Sequence, residues 1–398
     1  MTADTGRRRL LVVASTFPSS AADSAPAFVR DLALHEATRY DTTVLVPSVP
    51  GATRSEQLRS GDEIVRVERF RYFPRRWEDL ADGAILENLR QRPSRWLQVL
   101  PFLVAETFAL RRLVRRFDPD VLHVHWIIPQ GIAALVGARG RSMLVTTLGG
   151  DIYGLRGSVS RRVIKAVLRR SAAVTTMNDD MRDRLIELGA ARDRTSVLPM
   201  GADVDAIRAG AAGVEAVPGR VLFVGRLVEK KGVPVLLEAL RALDPATYTV
   251  HIVGDGPLRA ALQSAAADLP VTFLGALHRT ELAREYAASS VVVFPSVPAA
   301  SGDQDGLPVA LLEALAAGRP VIASDLPGLR DAIVDGSSGL LFRAGDSAAL
   351  QSALQRVLGD AGTAAQLGSG AAARADEFSV RNIGDRYLAL LDRIGPPR

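Results

Sequence analysis

The 398-residue chain contains no cysteine, which excludes a disulfide framework and any thiolate metal site. It also lacks an uninterrupted apolar run of membrane-spanning length. Its opening, MTADTGRRRLLVVAS, turns polar again straight after Leu10 to Ala14, too short a run for a signal peptide and better read as a first strand. A cytoplasmic protein that needs no metal fits these absences. Lysine is nearly missing: among 49 basic residues only Lys165, Lys230 and Lys231 are not arginine, and two of the three are adjacent. That adjacency singles out residues 230 and 231.

Apolar residues make up 47% of the chain, enough for two cores. Charge is divided unevenly, with net +9 over residues 1–200 and net −4 over residues 201–398, which implies two domains with different partners. Apolar runs at Leu10 to Ala14, Thr43 to Val46, Val121 to Val124, Met143 to Thr147 and Ala173 to Thr176 alternate with helical periodicity at Phe28 to Thr38, Phe102 to Phe117, Val159 to Arg170 and Asp179 to Leu188. The same alternation restarts at Val221 to Val224 and continues through Thr249 to Val253, Val271 to Leu274, Val291 to Phe294 and Val321 to Ala323. Short strands alternating with helices predict right-handed βαβ units and parallel sheets. The expected fold is therefore α/β, with two Rossmann-like doubly wound domains facing across a cleft. Its expected boundaries are an N-terminal domain at 1–202, a Gly- and Ala-rich linker at 203–219, a C-terminal domain at 220–378 and a final helix at 379–398 that returns toward the N-terminal domain.

The most informative stretch is VVVFPSVPAASGDQDGLPVALLEALAAGRPVIA, residues 291–323. A buried strand ends at Pro295 and Ser296, an acidic Gly loop runs from Asp303 to Gly306, and a helix from about Pro308 to Ala317 carries Glu313. Asp305 and Glu313 thus flank the free amides of a helix N-terminus, a suitable cradle for a polyol phosphate at the carboxyl edge of a parallel sheet. The strand at Val221 to Val224 runs into Gly225, Arg226 and, after LVEK, Lys231 and Gly232. Gly225 is expected to permit a tight turn, while Arg226 and Lys231 offer a donor fork and a compact charge for a diphosphate. A solvated basic loop is the plainer reading of that segment.

Gly254, Asp255, Gly256 and Pro257 form a second Gly turn, with Arg259 where a dinucleotide fingerprint needs Gly or Ala, so a nicotinamide cofactor is not supported. Nucleotide contact and a simple βα turn with Pro at the first helical position both remain open for it. Gly368, Gly370 and Ala373 match the fingerprint spacing, but lie in an Ala-rich helix with no strand before it. Asp-x-Asp occurs at Asp118/Asp120, Asp203/Asp205 and Asp303/Asp305. With 29 aspartates, about two such pairs arise by chance, and no metal site is required. In the first half, strand alternation puts His123 and His125 on one side, with His125 at the carboxyl end beside Thr147, Gly149, Gly150 and Asp151 of the next strand.

The ordered set GRLVEKKG, IVGDGP, VTFLGAL, FPS, DGLPVALLEALAAGRPVIAS and GLLF resembles the donor domain of retaining glycosyltransferase family 4, of GT-B architecture; HVHWIIPQG, TLGGD and LPMGAD resemble its acceptor half. The resemblance implies a hexosyltransferase that moves a sugar from a nucleotide-diphosphate sugar, UDP- or GDP-linked, with no further cofactor. The acceptor would be a glycan, a lipid-linked molecule or a small molecule. By the same resemblance Asp305 holds the transferred sugar's hydroxyls, Glu313 the donor ribose, Arg226 and Lys231 the diphosphate, and His125 sits beside the anomeric centre. Gly225, Gly254, Leu277, Ser296, Gly306, Leu307 and Pro308 would complete the donor site, and Thr16, Gly149, Gly150 and Asp151 the acceptor side. Two departures fall on the acceptor side: Thr16 to Val29 contains no Gly where many members have a Gly-rich turn, and Gly149 stands where the family often has His.

Arg66, Arg69, Arg71, Arg75 and Arg76 interleave with Phe70, Tyr72, Phe73 and Trp77, and the helix ending at Phe117 carries Arg111, Arg112, Arg115 and Arg116. A cationic, aromatic-bearing edge of this kind suits an anionic membrane and a lipid-linked acceptor, hence a peripheral place on the inner face of the plasma membrane. Solvated helix faces explain the arginines equally. A catalytically silent sugar-nucleotide-binding scaffold is the alternative of another class. Nucleic-acid binding, suggested by the basic pI, lacks any recognition motif.

Overall fold

The computed structural model describes residues 6–19, 27–83, 85–153 and 157–396. The chain divides into two compact units, Met1–Met200 with Ile383–Arg398, and Gly201–Asn382. The first unit is built on strands β1 (Arg9–Val13), β2 (Asp41–Pro47), β3 (Ser55–Ser60), β4 (Glu63–Phe70), β5 (Val121–His125), β6 (Ser142–Thr146), β7 (Ala173–Thr176) and β8 (Thr195–Val197), in the order β3-β4-β2-β1-β5-β6-β7-β8. Every pairing is parallel except β3 with β4. The second unit holds β9 (Arg220–Val224), β10 (Thr249–Val253), β11 (Val271–Gly275), β12 (Val291–Phe294), β13 (Val321–Ser324) and β14 (Leu340–Phe342), all parallel in the order β11-β10-β9-β12-β13-β14. Both sheets are α/β and doubly wound, as the alternation predicts.

Central strands are apolar on both faces because helices cover both sides. Leu10 to Val13 and Val291 to Val293 are fully buried. In each sheet the strand order reverses beside the first strand, between β1 and β5 and between β9 and β12. Loops leave such a reversal in opposite directions and open a crevice at the carboxyl ends.

Several elements differ from the sequence-based expectation. Residues 203–219, expected as a linker, carry helix Val204–Ala211, capped when the Asp203 carboxylate accepts from the Ala206 amide. Val204 and Ile207 are buried in the second unit's core and Gly210 abuts Ala283, so this segment is a packed helix. The helix expected from Phe102 starts at Trp96, with Pro101 inside it. Pro101 removes only the bond to the carbonyl of Leu97, which lies on the solvent side, so the turn persists. Helix Val380–Ile394 belongs to the first unit from Ile383 onward, where Tyr387 donates its hydroxyl to the Leu198 carbonyl and Tyr40 donates to Asp392.

The interleaved arginines and aromatics at 66–77 do not form a single exposed edge. They begin on β4, where Val65 and Val67 face inward. Phe70 and Tyr72 are buried against Phe102, and Arg69 is buried, donating to the Pro18 carbonyl and to Glu56. Strand alternation sorts these residues by face, which charge counting along the chain does not see. Arg71 and the part around Arg75, Arg76 and Trp77 remain exposed. Among the described residues no helix is long and apolar enough to cross a membrane.

Candidate active site

In the second unit the site residues gather at the carboxyl ends of β9 and β12. The turn after β9 leads through Arg226 to a short 3-10 turn, Glu229–Lys231, and then to Gly232 at φ 63°. A Cβ on Gly232 would fall on the Pro295 carbonyl oxygen, so only glycine allows this approach of the two loops. Gly254, at φ 126°, is fixed in the same way against the Gly225 carbonyl. Gly225 itself does not need to be glycine for the turn: its φ is ordinary, and a Cβ there would meet only side chains at 3.3 to 3.5 Å. The tight turn expected at Gly225 therefore belongs to Gly254.

The two loops are joined by hydrogen bonds and ion pairs. The Val297 amide donates to the Lys230 carbonyl (2.9 Å) and the Ala300 amide to the Glu229 carboxylate (2.9 Å). Lys231 Nζ donates to Asp305 Oδ2 at 2.8 Å, and Ser296 Oγ donates to the same oxygen at 2.9 Å. Lys230 Nζ stands 3.3 Å from Asp303 and 3.8 Å from Asp305 Oδ1. Burial alone would raise the Asp305 carboxyl, but the two lysine charges and the bonds from Lys231 and Ser296 outweigh it and hold the group below its usual range. Asp305 is thus a buried, ionised carboxylate.

Glu313 lies on helix Val309–Ala316, and Tyr286 donates its hydroxyl to Glu313 Oε2 and to the Ala310 carbonyl, both at 3.1 Å. Burial, reinforced by the Glu313 charge, raises the Tyr286 phenol well above its ordinary value and keeps it a donor. Arg226 is half-buried and forms no ion pair among the described residues. Leu277 and Leu307 are partly buried against the second unit's core, and Gly306 and Pro308 are buried at the start of the helix. Lysine and carboxylate are direct partners here.

In the first unit His125 ends β5 and is fully buried. His123 and His125 share one side of the strand as alternation predicts, their rings 4.2 Å apart. Burial, then the neighbouring His123, pushes the His125 imidazole well below its usual range, so the ring is neutral. His123 bonds to Glu36 at 2.6 Å through Nδ1 and to Thr146 at 2.8 Å through Nε2. Burial pushes Glu36 up and His123 down to about 3, which makes both neutral, with the Glu36 carboxyl donating to Nδ1.

Asp151, at the start of the short helix Gly150–Tyr153, accepts from the Ile127 amide at 2.8 Å. Burial raises its carboxyl to about 6. It therefore orders the turn that follows His125. Gly149 takes φ 111°, and Thr16 follows β1 half-buried. Residues 20–26, within the Gly-free stretch after Thr16, lie outside the described residues.

The three Asp-x-Asp pairs are absorbed by protein contacts. Asp118 pairs with Arg9 and Arg141, Asp120 accepts from the Arg9 amide, Asp203 caps a helix, Asp205 meets Arg381, and Asp303 and Asp305 bind lysines.

Known proteins match this arrangement along both halves of the chain. The family pattern described as "Glycosyltransferase Family 4" covers residues 26–206, and "Glycosyl transferases group 1" covers 218–360. The amylovoran biosynthesis glycosyltransferase AmsK of Erwinia amylovora is 33% identical over 53% of this chain and 54% of its own length, so that match spans about half of that relative. The 2-deoxystreptamine glucosyltransferase of Streptomyces kanamyceticus is 31% identical over 71% of this chain and 80% of its own. The chain belongs to glycosyltransferase family 4.

This family 4 glycosyltransferase has the GT-B fold. Sucrose-phosphate synthase from Thermosynechococcus elongatus superposes with a TM-score of 0.76 at 21% identity, over 96% of this chain and 98% of that one. HepE of Anabaena, in complex with UDP and glucose, does so at 0.70 and 19% identity, over 97% and 100%. Reading the sequence did not find Tyr286 as the partner of Glu313, because a tyrosine in the middle of a helix carries no signal beyond apolar periodicity. Lys230, singled out with Lys231 by the scarcity of lysine but given no role in the site, proves to stand beside Asp303 and Asp305.

Proposed function

We propose that this glycosyltransferase retains anomeric configuration, takes its sugar from a nucleotide-diphosphate sugar with a UDP or GDP leaving group, and needs no metal or further cofactor. The carrying observation is the buried Lys231–Asp305–Ser296 cluster at the β9/β12 reversal, next to the N-terminus of helix Val309–Ala316. A diphosphate entering this edge gains from Lys231, Arg226 and the helix N-terminus. Freed from Lys231 by that exchange, Asp305 can accept bonds from the sugar's hydroxyls. Glu313, oriented by Tyr286, holds the ribose.

Negative charge grows on the leaving diphosphate as the glycosyl group becomes oxocarbenium-like, so the cations act mainly in the transition state. Retention would follow if the leaving phosphate takes the acceptor's proton on the same face. A neutral His125 suits a place near the anomeric carbon, where an imidazolium would oppose the positive charge forming there. One relative is named for amylovoran biosynthesis and another for 2-deoxystreptamine, which supports a glycan or small-molecule acceptor.

A thermal-shift panel of UDP, GDP, ADP and their sugars tests the donor reading, because a ligand that binds the native state raises its melting temperature by mass action. One nucleotide should stabilise the wild type and not the Lys231→Ala variant. No shift with any of them removes the proposal. Binding without transfer to any acceptor would instead favour a silent scaffold.

A further inference from the structure

The helix Trp96–Phe117 of the first unit presents a face that its role in the core does not explain. Its inward side buries Gln98, Phe102, Glu106, Leu110 and Leu113. Its outward side leaves Trp96 (62%), Leu97 (73%), Leu100 (69%), Val104 (46%) and Phe108 (68%) open to solvent. At 100° per residue these five fall within roughly 120° of arc, a continuous stripe. Residues 96–105 include no ionisable side chain, and the first one after them, Glu106, points inward to Gln130.

Charge takes over where the stripe ends. Arg111 and Arg115 continue the same exposed face, Arg112 is exposed beside it, and none of the three forms an ion pair among the described residues, while Arg116 pairs with Glu68. Beside them a groove of about 730 Å³ is lined by Arg54, Arg71, Arg112 and Arg116 together with Phe108, with Glu68, the partner of Arg116, also on its wall. At the other end Trp77 is half-exposed with the Arg76 guanidinium 3.9 Å above its ring. That segment is anchored to the helix start, since Asp79 accepts from Gln98 and Arg95.

We propose that this face docks the protein on an anionic lipid bilayer. Trp96, Leu97, Leu100, Val104 and Phe108 enter the boundary between headgroups and acyl chains, and the arginines at the helix end and in the groove meet lipid phosphates. A helix with a large apolar side, Trp and Phe on it and arginines flanking it has the composition of an interfacial anchor. The charge pattern selects this occupant over a second copy of the chain. Parallel pairing of two such helices sets arginine against arginine, and antiparallel pairing buries unpaired arginines against Leu97 and Leu100. The proposal does not depend on the donor reading above.

Co-sedimentation of the full chain with phosphatidylcholine vesicles, with and without phosphatidylglycerol, tests it. The wild type should pellet with the anionic vesicles, be released by high salt and stay in solution with the neutral ones. Leu100→Ser with Phe108→Ser alters only exposed positions and should weaken binding about tenfold or more, as should Arg111→Glu with Arg115→Glu. Circular dichroism and nucleotide thermal shift should match wild type in both variants. Equal binding to both vesicle types, or unchanged binding by the folded variants, overturns the proposal. So does a wild-type dimer in analytical ultracentrifugation that ignores vesicles and becomes a monomer in the Leu100→Ser, Phe108→Ser variant.

Discussion

Lys231 Nζ and Asp305 Oδ2 lie 2.8 Å apart, so the cation proposed for the diphosphate is held, before any ligand arrives, by the carboxylate proposed for the sugar. Lys231 helps to keep Asp305 ionised, and each holds the other in place between the two loops. Lys231→Ala should therefore do two kinds of harm. It removes a transition-state cation, worth roughly 10²-fold in kcat. It also leaves Asp305 with only Lys230 and Ser296, so its carboxyl rises and the acid limb of the activity profile moves to higher pH. Steady-state transfer across a pH series measures both, and an unchanged kcat with an unmoved acid limb rejects the pairing's role.

Two glycines with similar backbones separate close approach from mere conformation. Gly232 at φ 63° faces the Pro295 carbonyl, whereas Gly213 at φ 74° has open space around the site of a Cβ. Gly213→Ala should cost only about 1 kcal/mol of stability, the left-handed penalty alone. Gly232→Ala should cost several times more and also lose nucleotide binding, because the loops must part. Urea unfolding with a parallel nucleotide thermal shift checks the contrast.

Sequence patterning made most of the fold legible. Ten of the strands are apolar runs that any buried parallel sheet requires, and helices between them follow from periodicity. Strand β3, SEQLRS, was not legible because it has one apolar residue and exists through its antiparallel pairing with β4. Strands β8 and β14 are three residues long and too short to carry a period. At the candidate site the acid spacing at 305 and 313 and the lysine pair were readable. The direct Lys231–Asp305 contact was not, since it depends on how closely two loops 74 residues apart approach.

The His123–Glu36 bond should behave as a neutral pair. Both groups are fully buried, and burial drives each toward its uncharged form. Glu36→Gln can still donate to Nδ1 and should lie within about 1 kcal/mol of wild type, whereas Glu36→Ala leaves a cavity and an unpaired ring nitrogen, about 2–4 kcal/mol. Equal losses in denaturant melts would mean an ion pair instead.

Acid should weaken the first unit through its histidines. His123 is pushed down to about 3 and His125 well below its usual value, so the unfolded chain binds protons below about 6.5 that the folded chain refuses. Stability contributed by each is complete above about 6.5 and is lost as pH falls, at up to ~1.4 kcal/mol per unit. Glu106, raised to about 8, Asp151, raised to about 6, and Glu36, raised well above its usual range, work the other way, each losing stability as pH rises above its ordinary value, so the histidine share is read as the difference between variant and wild type. His125→Phe should flatten the acid limb of a Tm-against-pH curve. An unaltered slope would mean that His125 titrates normally.

Gly232 against Pro295 has a mechanical meaning as well. With backbone resting on backbone there, and Val297 and Ala300 bonded across, the segments after β9 and β12 form one rigid jaw. Neither can be lengthened or re-aimed by itself. Changes in which sugar is chosen should therefore accumulate outside this jaw, and loop grafts that exchange only one of the two segments should fail even when every charged side chain is preserved.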